Sequence, residues 1–307
     1  MEHGFKIVGK NMSEEKREDF GKRYQEIEKR SVLPLKAEME KNEKAEEIIR
    51  AINSWLRKEF EQMGLEYKDI PQEKIHIFFE DDYKKEFPEE KESVIGFASS
   101  VKREACIKAV EDKARVFKCI LHEMIHLASH NVYYGNIAED VMTNYRSGYA
   151  NINWNNKEDV KQHFKGLNEG VVDMLASEIV QDNLDEVFRL TATRKEDWKN
   201  VEWYGEEGDI VNAILDKIAV HKNEKRENVY ARFKKGLFSG EMMHLRDIEK
   251  AFGKDSLRIL AYWDPTADVS GVSEKDIYEK IYEFFTTADE KKRNEIREVL
   301  ISSIGEK

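Results

Sequence analysis

Between residues 44 and 64 apolar side chains recur every three or four positions. "KAEEIIRAINSWLRKEFEQMG" lines up Ile48, Ile49, Ile52, Leu56 and Phe60 on one stripe, the spacing of an amphipathic helix that stops near Gly64. An earlier helical stretch begins at residue 13, and Pro34 in "SVLPLK" breaks the two apart. After "KDIPQ" the period shortens: "KIHIFFE" (74–80) and "EACIKAVE" (104–111) predict short strands, separated by the polar stretch "DDYKKEFPEEKESVIGFASS". A long helix is expected over 112–130. From 131 to 166 the chain is aromatic and rich in Asn and Gly, and reads as loop. "LNEGVVDMLASEIVQDNL" is strongly helical again. Residues 208–303 read as helix after helix, punctuated by "SG", "FGKD" and "DPTADVSGVS". The expected architecture is α+β and predominantly helical. It comprises an N-terminal helical region (1–70), a core with a small sheet beside a central helix (71–183), and an all-helical C-terminal lobe (184–307).

Composition narrows the function classes. Net charge is −11, with Lys and Glu interleaved, which argues against a nucleic-acid partner. No apolar run reaches the roughly 18 residues that span a bilayer. "MEHGFKIVGKNMSEEK" lacks a basic segment followed by an apolar one, so no secretory signal is expected. The cysteines are Cys106 and Cys119, too few for a disulfide framework and in keeping with a reducing compartment. The expectation is a cytoplasmic protein, unless it is exported without an N-terminal signal.

Chemistry concentrates in "CILHEMIHLASHN" (119–131). Residues four apart on an α-helix project from one face about 6 Å apart along the axis. His122 and His126 can therefore offer two imidazole nitrogens to one Zn²⁺, with Glu123 beside a bound water. Chance alone yields H-E-x-x-H in about two or three of every hundred such chains. Met124 and Ile125 continue the apolar run of Ile120 and Leu121, so the helix is expected to be buried, where two histidines on one face want a shared partner. His130 is excluded as third ligand because eight residues of straight helix span about 12 Å. It is expected to cap the helix C-terminus, where a cation or donor is favoured. Cys119 is read as a small buried residue rather than a ligand.

Glu169, in "GLNEGVVDML", is the better third ligand. Its face continues through Val172, Asp173, Ala176 and Val180, and a carboxylate on an apolar stripe needs a compensating charge. The alternative is an outward-facing acid in a first helical turn. Asp173, one turn on, can accept the remaining N–H of a metal-bound imidazole, or face solvent.

"HEMIH" followed by "NEGVVD" resembles the paired motifs of the gluzincin zinc metallopeptidases, the thermolysin-like clan, over about residues 105–183. Asn168, Glu169 and Asp173 match the N-E-x-x-x-D motif position by position. The resemblance implies a zincin-like core, Zn²⁺ held by His122, His126 and Glu169, Glu123 as general base, and Asp173 and Asn168 as supporting residues. Two departures stand out. His126 and Glu169 are 43 positions apart, about twice the separation in thermolysin-like and aminopeptidase families but similar to that of lethal-factor-type members. The G-x-M-E-N strand motif of aminopeptidases is absent, with "IGFASS" the nearest glycine-containing stretch, which shifts the expectation toward an endopeptidase.

Three protein ligands leave a fourth position for water, as in catalytic zinc sites. An oxyanion donor is also needed. Tyr133, Tyr134, Tyr145, Tyr149, Tyr230, His221 and His244 are candidates, and Tyr149 in "RSGYAN" is preferred because its segment joins the two motifs. Arg232, His244 and Arg246 in the segment 230–253 could reach substrate, although solvated charge is the default. Two rival readings are a catalytically silent relative that binds partners and a zinc hydrolase acting on a non-peptide amide. Retention of Glu123 favours hydrolysis over the first.

Overall fold

The computed structural model describes residues 5–9, 12–29, 37–92, 94–99, 102–136, 141–156, 159–198, 205–264 and 272–305. Pro34, Trp203 and most of "DPTADVSGVS" lie outside them, as does the side chain of Trp154. In chain order the elements begin β1 (Phe5–Val8), α1 (Glu14–Lys29), α2 (Glu43–Gln62), β2 (Ile75–Phe79), α3 (Glu80–Glu86), β3 (Gly96–Ser99), β4 (Glu104–Ala109) and α4 (Lys113–Ala128). Four strands follow: β5 (Asn131–Asn136), β6 (Val141–Ser147), β7 (Ala150–Asn156) and β8 (Asp159–His163). The rest is helical: α5 (Lys165–Asp182), α6 (Leu184–Thr191), α7 (Glu206–Lys222), α8 (Arg226–Ser239), α9 (Arg246–Phe252), α10 (Ser256–Ala261), α11 (Val272–Thr286) and α12 (Glu290–Gly305). The fold is thus α+β and predominantly helical, with sheets ordered β2-β4-β3 and β1-β5-β6-β7-β8. No helix among the described residues is long and apolar enough to cross a membrane.

The segment 131–166, expected as loop, forms four strands instead. Val132, Tyr133 and Tyr134 are good strand formers, and β5 gains two partners: β1 in parallel (Phe5↔Asn131) and β6 antiparallel, with a bulge between Val132 and Tyr133. β1 was not expected at all. The stretch "GFAS", read as part of a polar connection, is β3. It pairs antiparallel with β4 (Ala98↔Ala105), while β2 pairs parallel to β4 on the other side (Ile75↔Ala105).

Contacts divide the chain into two units, Met1–Ser147 with Leu175–Glu202 and Gly148–Met174 with Trp203–Lys307. In the first, α1 lays Phe20 and Tyr24 on Ile7 and Tyr133, and the Tyr24 and Tyr133 hydroxyls share a hydrogen bond of 2.6 Å. α2 buries Ile49, Ile52, Trp55, Leu56 and Phe60, with Ile48 only half-buried. Asn42 caps its N-terminus by accepting the Ala45 N–H, and the chain leaves at Gly64 with φ of +68°. Phe117 of α4 stacks between Trp55 and Trp198, with ring centroids 6.0 and 6.1 Å away. The outer edge of β2 is covered: the Met39 N–H donates to Ile77 O at 2.8 Å. β3 is the opposite edge, and no strand among the described residues pairs with its outer side. Its Gly96 packs so tightly on α4 that a Cβ there would lie 2.5 Å from Cys119 Sγ.

In the second unit α7 buries Ile210, Val211, Ile214, Leu215 and Ile218, and the Phe252 ring of α9 meets Phe284 and Phe285 of α11. β7 and β8 pair antiparallel. α5 belongs to both units, Lys165–Met174 to the second and Leu175–Asp182 to the first. Its Leu167, Val171, Val172, Leu175, Ala176, Ile179 and Val180 are all buried, and apolar residues all round make it a core helix rather than a surface one.

Candidate metal centre

The histidine-bearing helix α4 is fixed at both ends. Asp112 accepts the Arg115 N–H at 3.0 Å as N-cap. At the other end the Ser129 N–H donates to His126 O at 3.2 Å, the Ser129 hydroxyl to Ile125 O at 2.9 Å, and the Arg103 guanidinium to Leu127 O. Those contacts do the capping expected of His130. Burial, then Arg146, Lys6 and Arg103, pull the His130 pKa down to about 4, so at pH 7 it is a neutral imidazole, the donor and not the cation of the two forms expected there.

Along α4, Ile120, Leu121, Met124, Ile125 and Leu127 are buried, whereas His122 and His126 are half-buried. Their Nε2 atoms lie 3.0 Å apart, with ring centroids 4.7 Å apart and planes at 70°. Two nitrogens bound at about 2.0–2.1 Å in a tetrahedron sit roughly 3.3 Å apart, so this spacing suits one shared ion. Ligand atoms of His122, His126 and Glu169 all lie within 4.8 Å of one another, and they form the one such group found among the described residues. Glu169 is half-buried on the first turns of α5. Two imidazoles and one carboxylate form a nitrogen-rich set; it suits a borderline transition metal such as zinc better than calcium or magnesium, which prefer all-oxygen shells.

None of the protein-family models, curated proteins or solved structures compared with this chain matches it.

Glu123 is buried, at 6% exposure. It lies one turn from Cys119, and its charge helps to raise the pKa values of Cys119, Cys106 and Tyr83. Cys119 is buried and its thiol is pushed well above the usual range, chiefly by burial. It stays protonated and does not join the ligand group.

Around Glu169, α5 approaches α7 closely. A Cβ on Gly170 would lie 2.6 Å from both Glu207 O and Val211 Cγ2. Glu207, in the first turn of α7, has a raised pKa: burial is the largest cause, its own backbone opposes it, and Asp173 and Glu169 add to it. Glu207 therefore stands beside the two acids of the second motif. Sequence reasoning missed it, because "GEEGD" is what any helix start looks like when acids complement the macrodipole. Asp173 is half-buried one turn after Glu169.

Asn168 and Tyr149 are brought together. Asn168 is 3% exposed, and its Oδ1 accepts the Tyr149 backbone N–H at 2.9 Å. Tyr149 is fully buried; its hydroxyl donates to Phe233 O at 2.6 Å and meets His244 Nε2 at 2.7 Å. Burial, then Arg232, lowers the His244 pKa to about 4, so the ring is neutral and donates its Nε2–H to the tyrosine oxygen. The oxyanion role expected of Tyr149 would need its proton to turn away from the Phe233 carbonyl. Of the other candidates, Tyr133 is buried against Tyr24, and Tyr230 is buried on α8. Tyr134, Tyr145 and His221 are exposed. Arg232 is committed to Glu224, with one nitrogen–oxygen distance of 3.0 Å. Arg246 is exposed at the start of α9.

Proposed function

We propose that this chain is a zinc metallopeptidase of the gluzincin type and acts as an endopeptidase. The observation that carries the reading is the convergence of His122, His126 and Glu169 on one point. These three residues would hold the ion, and Asp173 would orient an imidazole ligand from behind. When bound there, zinc supplies an acidified water and a Lewis acid for the substrate carbonyl. Glu123 takes the proton of the attacking water and afterwards delivers it to the leaving amine. Its low exposure favours this work, because a carboxyl shielded from bulk water keeps its proton for the leaving group.

A peptide substrate is favoured over a small amide by β3. Its outer edge carries no strand among the described residues, and it lies directly on α4 at Gly96 and Cys119. Backbone N–H and C=O groups along such an edge receive an extended chain by strand addition, beside the helix that bears Glu123. Retention of Glu123 favours hydrolysis over a silent binding module.

The test is metal analysis of the purified protein together with digestion of a peptide library, comparing the parent with Glu123→Gln. Stoichiometric zinc in both proteins and cleavage by the parent alone is the expected result. Equal cleavage by both, or a parent that takes up no zinc, refutes the proposal.

A further inference from the structure

The second unit contains a recess of about 390 Å³ formed by α7, α9 and α12. The chain carries a net charge of −11, yet the ionisable lining is Lys217, His221, Lys250, Arg293 and Arg297 against Glu290 alone. Such local reversal of sign in an acidic protein focuses a positive field into a concave site.

Arg293 gives the recess its purpose. It is 5% exposed, its guanidinium carbon stands 5.5 Å over the Phe252 ring, and it donates to the carbonyls of Phe284 and Thr287. Those carbonyls accept hydrogen bonds from its Nε and one Nη without neutralising its charge. No Asp or Glu among the described residues lies within ion-pair distance of it. A buried cation with no counter-charge is costly, and an anion seated in the recess would offset that cost. Arg297 lies over Gly253, where φ is +92° and a Cβ would stand 3.3 Å from its Nη1. Lys217 has no hydrogen-bond or ion-pair partner among the described residues, and it is half-buried. Two of the cations are shared: Lys250 with Asp247 at 3.0 Å and Arg297 with Glu298 at 3.5 Å. Glu290 is exposed at the rim.

We propose that this recess binds a phosphate-bearing small molecule. Guanidinium and ammonium groups lining one recess suit a compact, multiply charged oxyanion. The volume is within the range of small-molecule pockets, roughly 300–1,000 Å³, and the acidic remainder of the chain repels long polyanions. The site is independent of the metal centre and does not rest on the peptidase reading.

The experiment is calorimetric titration of the full chain, in phosphate-free buffer, with inorganic pyrophosphate and separately with ADP. Saturable binding is expected. It should weaken about tenfold or more in Lys217→Glu and in Arg297→Glu, as loss of a charge-assisted contact implies, while Lys58→Glu on α2 binds like the parent. Ligand should also raise the thermal midpoint of the parent and not of the two variants, which separates lost binding from lost folding. Binding of both probes assigns recognition to the phosphates alone, and binding of ADP only assigns it to a nucleotide; either supports the site. No saturable binding at millimolar concentration, equal affinity in the variants, or preference for an oligoglutamate peptide over both probes would overturn it.

Discussion

Asn168 Oδ1 accepts the backbone N–H of Tyr149 at 2.9 Å, just after Gly148, which turns the chain with φ of +55°. One residue of the second sequence motif therefore holds down the turn between β6 and β7. Asn168→Ala strands a buried N–H and is expected to cost about 1–3 kcal/mol. Gly148→Ala is expected to cost at least as much, because the new Cβ would lie 2.3 Å from Asn168 Oδ1 and 2.7 Å from Leu237 Cδ1 in a backbone region that disfavours side chains. Urea denaturation should show both losses. A Gly148→Ala protein as stable as the parent would mean the turn is not held as described.

On the proposed metal reading, Asp173→Ala should weaken zinc about 10- to 100-fold, the usual effect of removing a residue that supports a ligand. Glu169→Ala, which removes a ligand outright, should weaken it more. Competition with a chromophoric chelator reads both. If Asp173→Ala binds as tightly as the parent, Asp173 does not support the imidazoles.

The Tyr149–His244 pair makes stability depend on pH in a defined direction. His244 has a folded pKa of about 4, below the 6.5 of an unperturbed histidine. Between those values the unfolded chain binds the proton that the folded chain refuses. Stability from this residue is complete above about pH 6.5 and falls as pH drops toward 4. His244→Gln, which keeps a donor for the tyrosine oxygen, should flatten that part of the profile. An unchanged slope would assign the acid sensitivity elsewhere, His130 being the next group with a similarly lowered pKa.

Lys74 and Glu104 form a buried ion pair at 3.0 Å between the starts of β2 and β4, with side chains 9% and 0% exposed. Lys74→Met leaves the carboxylate buried without its ammonium partner, and about 3–5 kcal/mol should be lost. The double variant Lys74→Met/Glu104→Leu should recover most of it. A double variant no better than the single would show that Glu104 matters through its other neighbours, such as His76, whose Nε2 is 3.6 Å away.

The helices were legible because their signals are local. α4 and α5 announce themselves by dense apolar runs, and the His122–His126 spacing follows from helical periodicity alone. β2 and β4 were legible by alternation. β5 to β8 were not, because Asn and Gly weaken strand propensity and what secures β5 is its pairing with β1, far earlier in the chain. β3 was hidden by its small residues, which are the ones that let it approach Cys119. Glu169 could be found because its motif placed a carboxylate on an apolar face. Glu207 could not, since its place beside Asp173 comes from the packing of α7 on α5 at Gly170.

The close seating of Gly96 on Cys119 has a chemical corollary. Cys119 is shut beneath a strand, and Cys106, with a pKa pushed up to about 12, is equally enclosed. Oxidants and alkylating reagents attack the thiolate, so both sulfurs should stay inert while the chain is folded. Folded protein can then pass between reducing and oxidising surroundings without reaction at either cysteine.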